Sequence, residues 1–137
     1  MNTSEKTGPK MPFFVHFRRM APDGNGGRRQ VSRYAATVCI APREGGDGSE
    51  YHAGVALCSP KDHFCRRTGR LISSGRARNG EFPGALLLEM EGEEKQFTIG
   101  DWYALAVDCV VWWTDCMFRI EESHSICSDL FGEEDQE

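Results

Sequence analysis

Short aromatic and β-branched runs separated by glycine-rich turns mark the N-terminal half of the chain. Phe13 to Arg19 (Phe-Phe-Val-His-Phe-Arg-Arg) has the content of a strand. Ala21 to Gly27 reads as a turn, because Gly and Asn tolerate positive φ and Pro fixes its own. A second strand is expected from about Val31 to Ile40, a glycine-rich loop over Arg43 to Glu50, and a third strand from Tyr51 to Cys58. Two hairpin-like connections in succession imply an antiparallel meander.

The period then changes. Ser59-Pro60-Lys61-Asp62 carries the signature of a helix start, with Ser as N-cap, Pro at the first helical position and an acid in the first turn. Phe64, Thr68, Leu71 and Ile72 fall on one face at helical spacing, with Arg66, Arg67 and Arg70 opposite, and Gly75 or Gly80 ends the helix. Ala85 to Met90 reads as a strand, Glu91 to Glu94 as a turn, and Gln96 to Ile99 as a short partner strand. A second helix begins near Asp101, where Trp102, Leu105, Ala106, Cys109, Trp112, Trp113, Cys116, Met117 and Ile120 follow the amphipathic pattern. Val110 to Trp113 also suits a strand. Asp101, Asp108, Asp115 and Glu122 recur every seven residues as an acidic stripe.

The pattern predicts an α+β fold: an antiparallel sheet of about five strands with two α-helices packed on one face. With 137 residues it forms one domain, residues 12–131, preceded by a flexible leader (1–11) and followed by a disordered acidic tail (132–137). A hydrophobic share of 39% with 10% aromatics is too apolar for a disordered chain. The longest apolar run, Cys109 to Trp113, is far short of the ~20 residues that span a bilayer. Residues 1–11 lack the apolar core of a secretory signal. The expectation is a soluble cytoplasmic protein with no membrane partner.

Charge adds a division that the net value of −5 conceals. Residues 1–80 hold fourteen Lys and Arg against six acids, whereas residues 81–137 hold two against fifteen. Such halves suit a basic ligand-facing surface and an acidic one turned elsewhere, or they neutralise each other within one chain or between subunits. One helix face against one sheet would not bury all of Trp102, Trp112 and Trp113, so a homo-oligomer is expected to take up the surplus.

Six cysteines lack both a secretory context and any Cys-x-x-Cys pair, so neither a disulfide framework nor a metal site is expected. The groups Cys58, His63, Cys65 and His124, Cys127 fall short of the paired spacing of structural zinc. Cys58, at a strand end before the expected helix N-terminus, stands where a thiol pKa is lowered, yet no base is assigned to it. Neither a phosphate loop with its Lys-Ser/Thr nor Gly-x-Ser-x-Gly occurs. No enzyme activity and no cofactor are expected.

The densest chemistry lies between Lys61 and Gly80, where six basic residues face one acid and Gly69-Arg70 and Gly75-Arg76 repeat a pair. Arginine offers a planar fork of donors for phosphate or carboxylate, and adjacent glycines admit a ligand to the backbone. The region reads as an anion-binding helix, or alternatively as a face whose arginines pair with the acidic second helix. Duplex nucleic acid is disfavoured by the acidic balance of the chain and the lack of a helix-turn-helix or finger pattern. Phe82 and Tyr51, core residues by pattern, could otherwise stack a base.

The segment Cys58-Ser59-Pro60-Lys61-Asp62-His63-Phe64-Cys65-Arg66-Arg67-Thr68-Gly69-Arg70, with Gly54 to Leu57 before it and Gly75-Arg76-Ala77 after it, resembles a module of small phage and prophage accessory proteins. It is similar to phage anti-defence sponge proteins of the Thoeris anti-defence type, which bind cyclic nucleotide signals without cleaving them and work as homo-oligomers. That resemblance implies a non-enzymatic sponge in the bacterial host cytoplasm, with Asp62, Arg66, Arg70 and Arg76 carried over as ligand residues; Arg67 and Arg78 join them from the basic run. The alternative is an anti-CRISPR-like inhibitor that meets a host defence protein through a nucleic-acid-mimicking surface built on Asp101, Asp108, Asp115, Trp112 and Trp113.

Overall fold

The computed structural model describes residues 12–43, 50–81, 85–89 and 98–132. The expected leader, the turn Glu91 to Glu94, residues Gln96 and Phe97, and the tail from Glu133 lie outside these. The chain runs β1 (Phe13–Phe17), β2 (Met20–Pro22), β3 (Arg28–Gln30), β4 (Ala35–Pro42), β5 (Glu50–Cys58), α1 (Arg66–Asn79), β6 (Ala85–Glu89), α2 (Ile99–Met117) and α3 (Ile120–Phe131). The fold is α+β. Its main sheet has four strands in the order β1-β4-β5-β6, each pair antiparallel, and β2 and β3 form a separate two-stranded ribbon between β1 and β4. No helix among the described residues is long and apolar enough to cross a membrane.

Alternation along each strand assigns the two faces of the sheet. Val15, Val38 and Val55 lie in one row of the register, and with Phe17, Ala36, Ile40, Tyr51, Ala53 and Leu88 they turn one face toward α2 and α3. Trp102, Ala106, Cys109, Val110, Trp113, Ile126 and Leu130 close that core. The next row, His16, Thr37 and Ala56, points to the opposite face, as do Cys39 and Gly54. There α1 packs.

The helices therefore cover both faces of the sheet, where packing on one face was expected. The reason lies in the contact surface of α1, which is built from Gly69, Ser73 and Ala77. A Cβ at Gly54 would stand 2.1 Å from the Ser73 carbonyl oxygen, and one at Gly69 would stand 2.3 Å from Thr37 Oγ1. Glycine at these positions lets the helix backbone approach the strands closely. Leu71 and Ile72, on the apolar face read from the helical spacing, are 65% and 42% exposed.

Other boundaries also shift. The long strand from Val31 begins only at Ala35, because Val31 and Ser32 donate their backbone N–H groups to the Arg19 carbonyl at the base of the β2–β3 ribbon. The stretch after Asp101 is two helices rather than one, with Phe118 leaving the helical path and Arg119 starting α3. Thr98 and Asp101 form a reciprocal capping box at the start of α2, so Thr98 and Ile99 belong to that helix rather than to a strand. Across the α2–α3 joint, Thr114 Oγ1 lies 2.9 Å from Ser123 Oγ, which donates to Asp115 at 2.6 Å. Asp129 on α3 accepts the backbone N–H groups of Arg33 and Tyr34 and pairs with Arg19 at 3.9 Å, tying α3 to the β1–β4 connection.

Candidate functional site

A cleft of about 350 Å³ opens where β5 ends and α1 begins. Thr37 and Ala56 form its floor, Leu57 and Cys58 one wall, the segment Asp62 to Cys65 its rim, and Thr68, Gly69 and Ile72 the helical wall. The rim takes its shape from Ser59, which does not cap a helix. Its hydroxyl donates to Asp62 Oδ2 at 3.1 Å and accepts the Lys61 N–H at 3.3 Å, and the Asp62 N–H returns to the Ser59 carbonyl. These bonds close a turn, and the helix waits until Arg66.

That delay moves the helix N-terminus from Cys58 to Cys65. The Thr68 backbone N–H, the Thr68 hydroxyl and the Arg67 N–H hold the Cys65 thiol below its usual range. Burial, and next the charge of Asp62, push the Cys58 thiol up. Burial also pushes Cys39 to about 11 and Cys109 to about 12.

Beside the cleft, β1 contributes residues read from the sequence only as strand. His16 Nδ1 lies 2.8 Å from Thr37 Oγ1, and its ring meets Phe64 edge-on at 5.6 Å between centroids. The Arg18 guanidinium stands 4.8 Å from the same Phe64 ring. Burial, reinforced by the positive charges of Arg66, Arg70 and Arg18, keeps the His16 pKa below 6.5. His16 and Arg18 thus meet the Phe64 ring at the rim of the cleft, with the charges of Arg66 and Arg70 on α1 acting on His16. Alternation along β1 was the signal for His16, since it places His16 with Phe14 on the face opposite Val15 and Phe17; Arg18 lies just beyond the strand.

The ion pairs among the described residues are Arg19–Asp129 and Arg43–Glu50. The arginines of α1 do not neutralise the acids of α2; the sheet stands between them. Of the expected ligand residues, Asp62 lines the cleft, Arg66 and Arg70 stand on the first turns of α1 with their charges acting on His16, and Arg67 is exposed on α1 beside Cys65. Arg76 and Arg78 are not part of this group. Arg76 reaches past the edge of β5, just beyond the last residue paired with β6, donates to the Val55 carbonyl and lies 5.7 Å from the Trp113 ring centroid. Arg78 lines a smaller cleft of about 150 Å³ at the other end of α1, with Cys39, His52 and Ser74.

The expected partner surface is corrected in the same way. Trp113 and Trp102 are 6% and 5% exposed and belong to the core, leaving Trp112, at 46%, on the surface with Asp101, Asp108 and Asp115. Tyr51 is likewise buried, and Phe82 lies outside the described residues. No group of three His, Cys, Asp or Glu side chains among the described residues is placed to hold a metal ion. Comparison with protein-family models, curated proteins and solved structures returned no match.

Proposed function

We propose that this chain binds a phosphate-bearing nucleotide at the mouth of the α1 cleft and holds it without turnover. The observation that carries the reading is the basic cluster at the cleft rim. There the Arg18 guanidinium stands 4.8 Å from the Phe64 ring that His16 meets edge-on, the charges of Arg66 and Arg70 act on His16, and none of these arginines is in an ion pair among the described residues. Cations left unpaired beside a cleft suit an anion that supplies the missing charge, and guanidinium forks match phosphate oxygens. The cleft itself, at about 350 Å³, falls in the range of small-molecule sites, with Phe64 and Ile72 as apolar wall. Asp62 at the rim accepts from a sugar hydroxyl or a base amine. Cys58 is held as a thiol by its surroundings, which speaks against that residue as a nucleophile.

The resemblance of Cys58 to Arg70 to phage accessory modules gives this binding its biological sense, as sequestration of a cyclic nucleotide immune signal in a bacterial host. Native mass spectrometry of the purified protein, followed by denaturation and identification of released masses, tests it. The expected result is a nucleotide-sized mass recovered chemically intact, with retention weakened about tenfold or more by Arg70→Ala, since a hydrogen bond to a charged group contributes ~1.5–3 kcal/mol. A protein that carries no nucleotide and binds none of a panel of linear and cyclic mono- and dinucleotides in calorimetry overturns it. Recovery of a cleaved nucleotide overturns the sponge.

A further inference from the structure

Two thiols line the cleft between β5 and α1, and they differ in character. Cys65 is exposed at the N-cap of α1, where the Thr68 and Arg67 N–H groups favour its thiolate. Cys58 is half-buried. Its sulfur turns towards the carbonyl oxygens of Asp62 and Ser59, at 3.6 and 3.7 Å, and burial with the Asp62 charge keeps it protonated. Positive charge gathers beside the first thiol only. Arg67 acts on Cys65 directly, and Arg18 stands over the ring of Phe64, the rim residue next to it in the chain. Neither arginine has an ion-pair partner among the described residues.

We infer that Cys65 is a modification site for a small anionic disulfide of the glutathione class, and that the peptide it acquires lies in the cleft against Phe64 and Ile72 with its carboxylates on Arg18 and Arg67. The step is a thiol–disulfide exchange. The Cys65 thiolate attacks one sulfur of the disulfide, the S–S bond of the reagent breaks, and a new S–S bond joins Cys65 to one glutathione. The other glutathione leaves as a thiolate and takes a proton from water. Cys65 is oxidised and the departing glutathione is reduced, so no further oxidant enters. Cys58, a protonated thiol, attacks the new bond slowly, and the mixed disulfide persists instead of passing to a Cys58–Cys65 bridge. The site shares the cleft assigned above to a nucleotide, yet it is read as covalent mass and does not depend on that assignment.

Mass spectrometry of the full chain incubated with glutathione disulfide, followed by peptide mapping, tests it. The expected product carries one glutathione on Cys65, is absent in Cys65→Ser, where serine also suits an N-cap, and is kept in Cys58→Ser. Cystamine, a cationic disulfide, undergoes the same exchange. Relative to the urea-unfolded chain, folded Cys65 is expected to favour glutathione disulfide over cystamine by about tenfold or more, the scale of electrostatic steering. Arg18→Gln with Arg67→Gln is expected to erase most of that preference. Reaction first at Cys58, an internal disulfide in place of the adduct, or equal rates with the two reagents overturns the proposal. So does a preference that survives the double arginine variant, since Cys65 is then only an exposed thiol. A chain that takes the adduct with this preference yet binds no nucleotide supports the site and overturns the nucleotide reading.

Discussion

His16 sits in a field that opposes its own protonation, with burial acting first and Arg66, Arg70 and Arg18 adding to it. Its folded pKa lies below the ~6.5 of the unfolded chain, so protons bind the unfolded state preferentially as the medium turns acid. The stability it contributes is whole above pH ~6.5 and is lost as pH falls through the interval down to the folded pKa. Urea unfolding at pH 7.5 and 5.5 is expected to show this loss in the wild type and a smaller one in His16→Gln; equal losses in both would refute the assignment. A bound phosphate reverses the field, so nucleotide binding near pH 6 is expected to take up a proton, read as a buffer-dependent heat in calorimetry. The cysteines provide a second measurement at this scale. Cys65, favoured as a thiolate and exposed, is expected to be alkylated by iodoacetamide well before Cys58, with the buried Cys39 and Cys109 last, followed by peptide mass mapping.

Among the elements, α1 shows how a helix can be visible while its orientation is hidden. Its arginines and the presence of a helix were legible, although the helix begins at Arg66 rather than after Ser59. Its buried face was not, because Gly69, Ser73 and Ala77 carry no hydropathy signal, while Leu71 and Ile72 carry a strong one and face solvent. Close approach, not apolar area, decides the packing. Gly54→Ala is expected to cost about 1–3 kcal/mol in chemical denaturation, the usual range for forcing volume into a packed contact. Gly75→Ala meets no atom within 4 Å and should gain ~0.5–1 kcal/mol as a helix-interior glycine replaced by a better helix former. A loss at Gly75 or no effect at Gly54 would contradict the observed contact surface. The break between α2 and α3 escaped the sequence for a related reason: no Gly or Pro marks it, and Ser123 is buried through its hydrogen bond to Asp115. Alternation along β1 assigns His16 its face of the sheet, but its meeting with Thr37 depends on β1–β4 pairing, a long-range event that local pattern does not report.

For the whole molecule, the decisive fact is that the sheet divides the charge. The arginines of α1 stand on one side and the aspartates of α2 on the other, with the ion pairs among the described residues lying elsewhere. Nucleotide affinity is therefore expected to fall steadily as salt rises from ~0.05 to ~0.5 M, because exposed arginines are screened over a Debye length that shrinks to a few ångströms. Salt-independent affinity would place the anion elsewhere. One side chain crosses the divide. Arg76 leaves the α1 layer at the open edge of β5 and ends against the buried indole of Trp113 in the layer behind. Indole emission responds to a nearby charge, so whatever displaces α1 alters the colour of a chromophore on the far side of the sheet. Displacement of α1 is therefore expected to shift the emission of Trp113, seen over the background of Trp102 and Trp112, as a label-free signal from the arginine face.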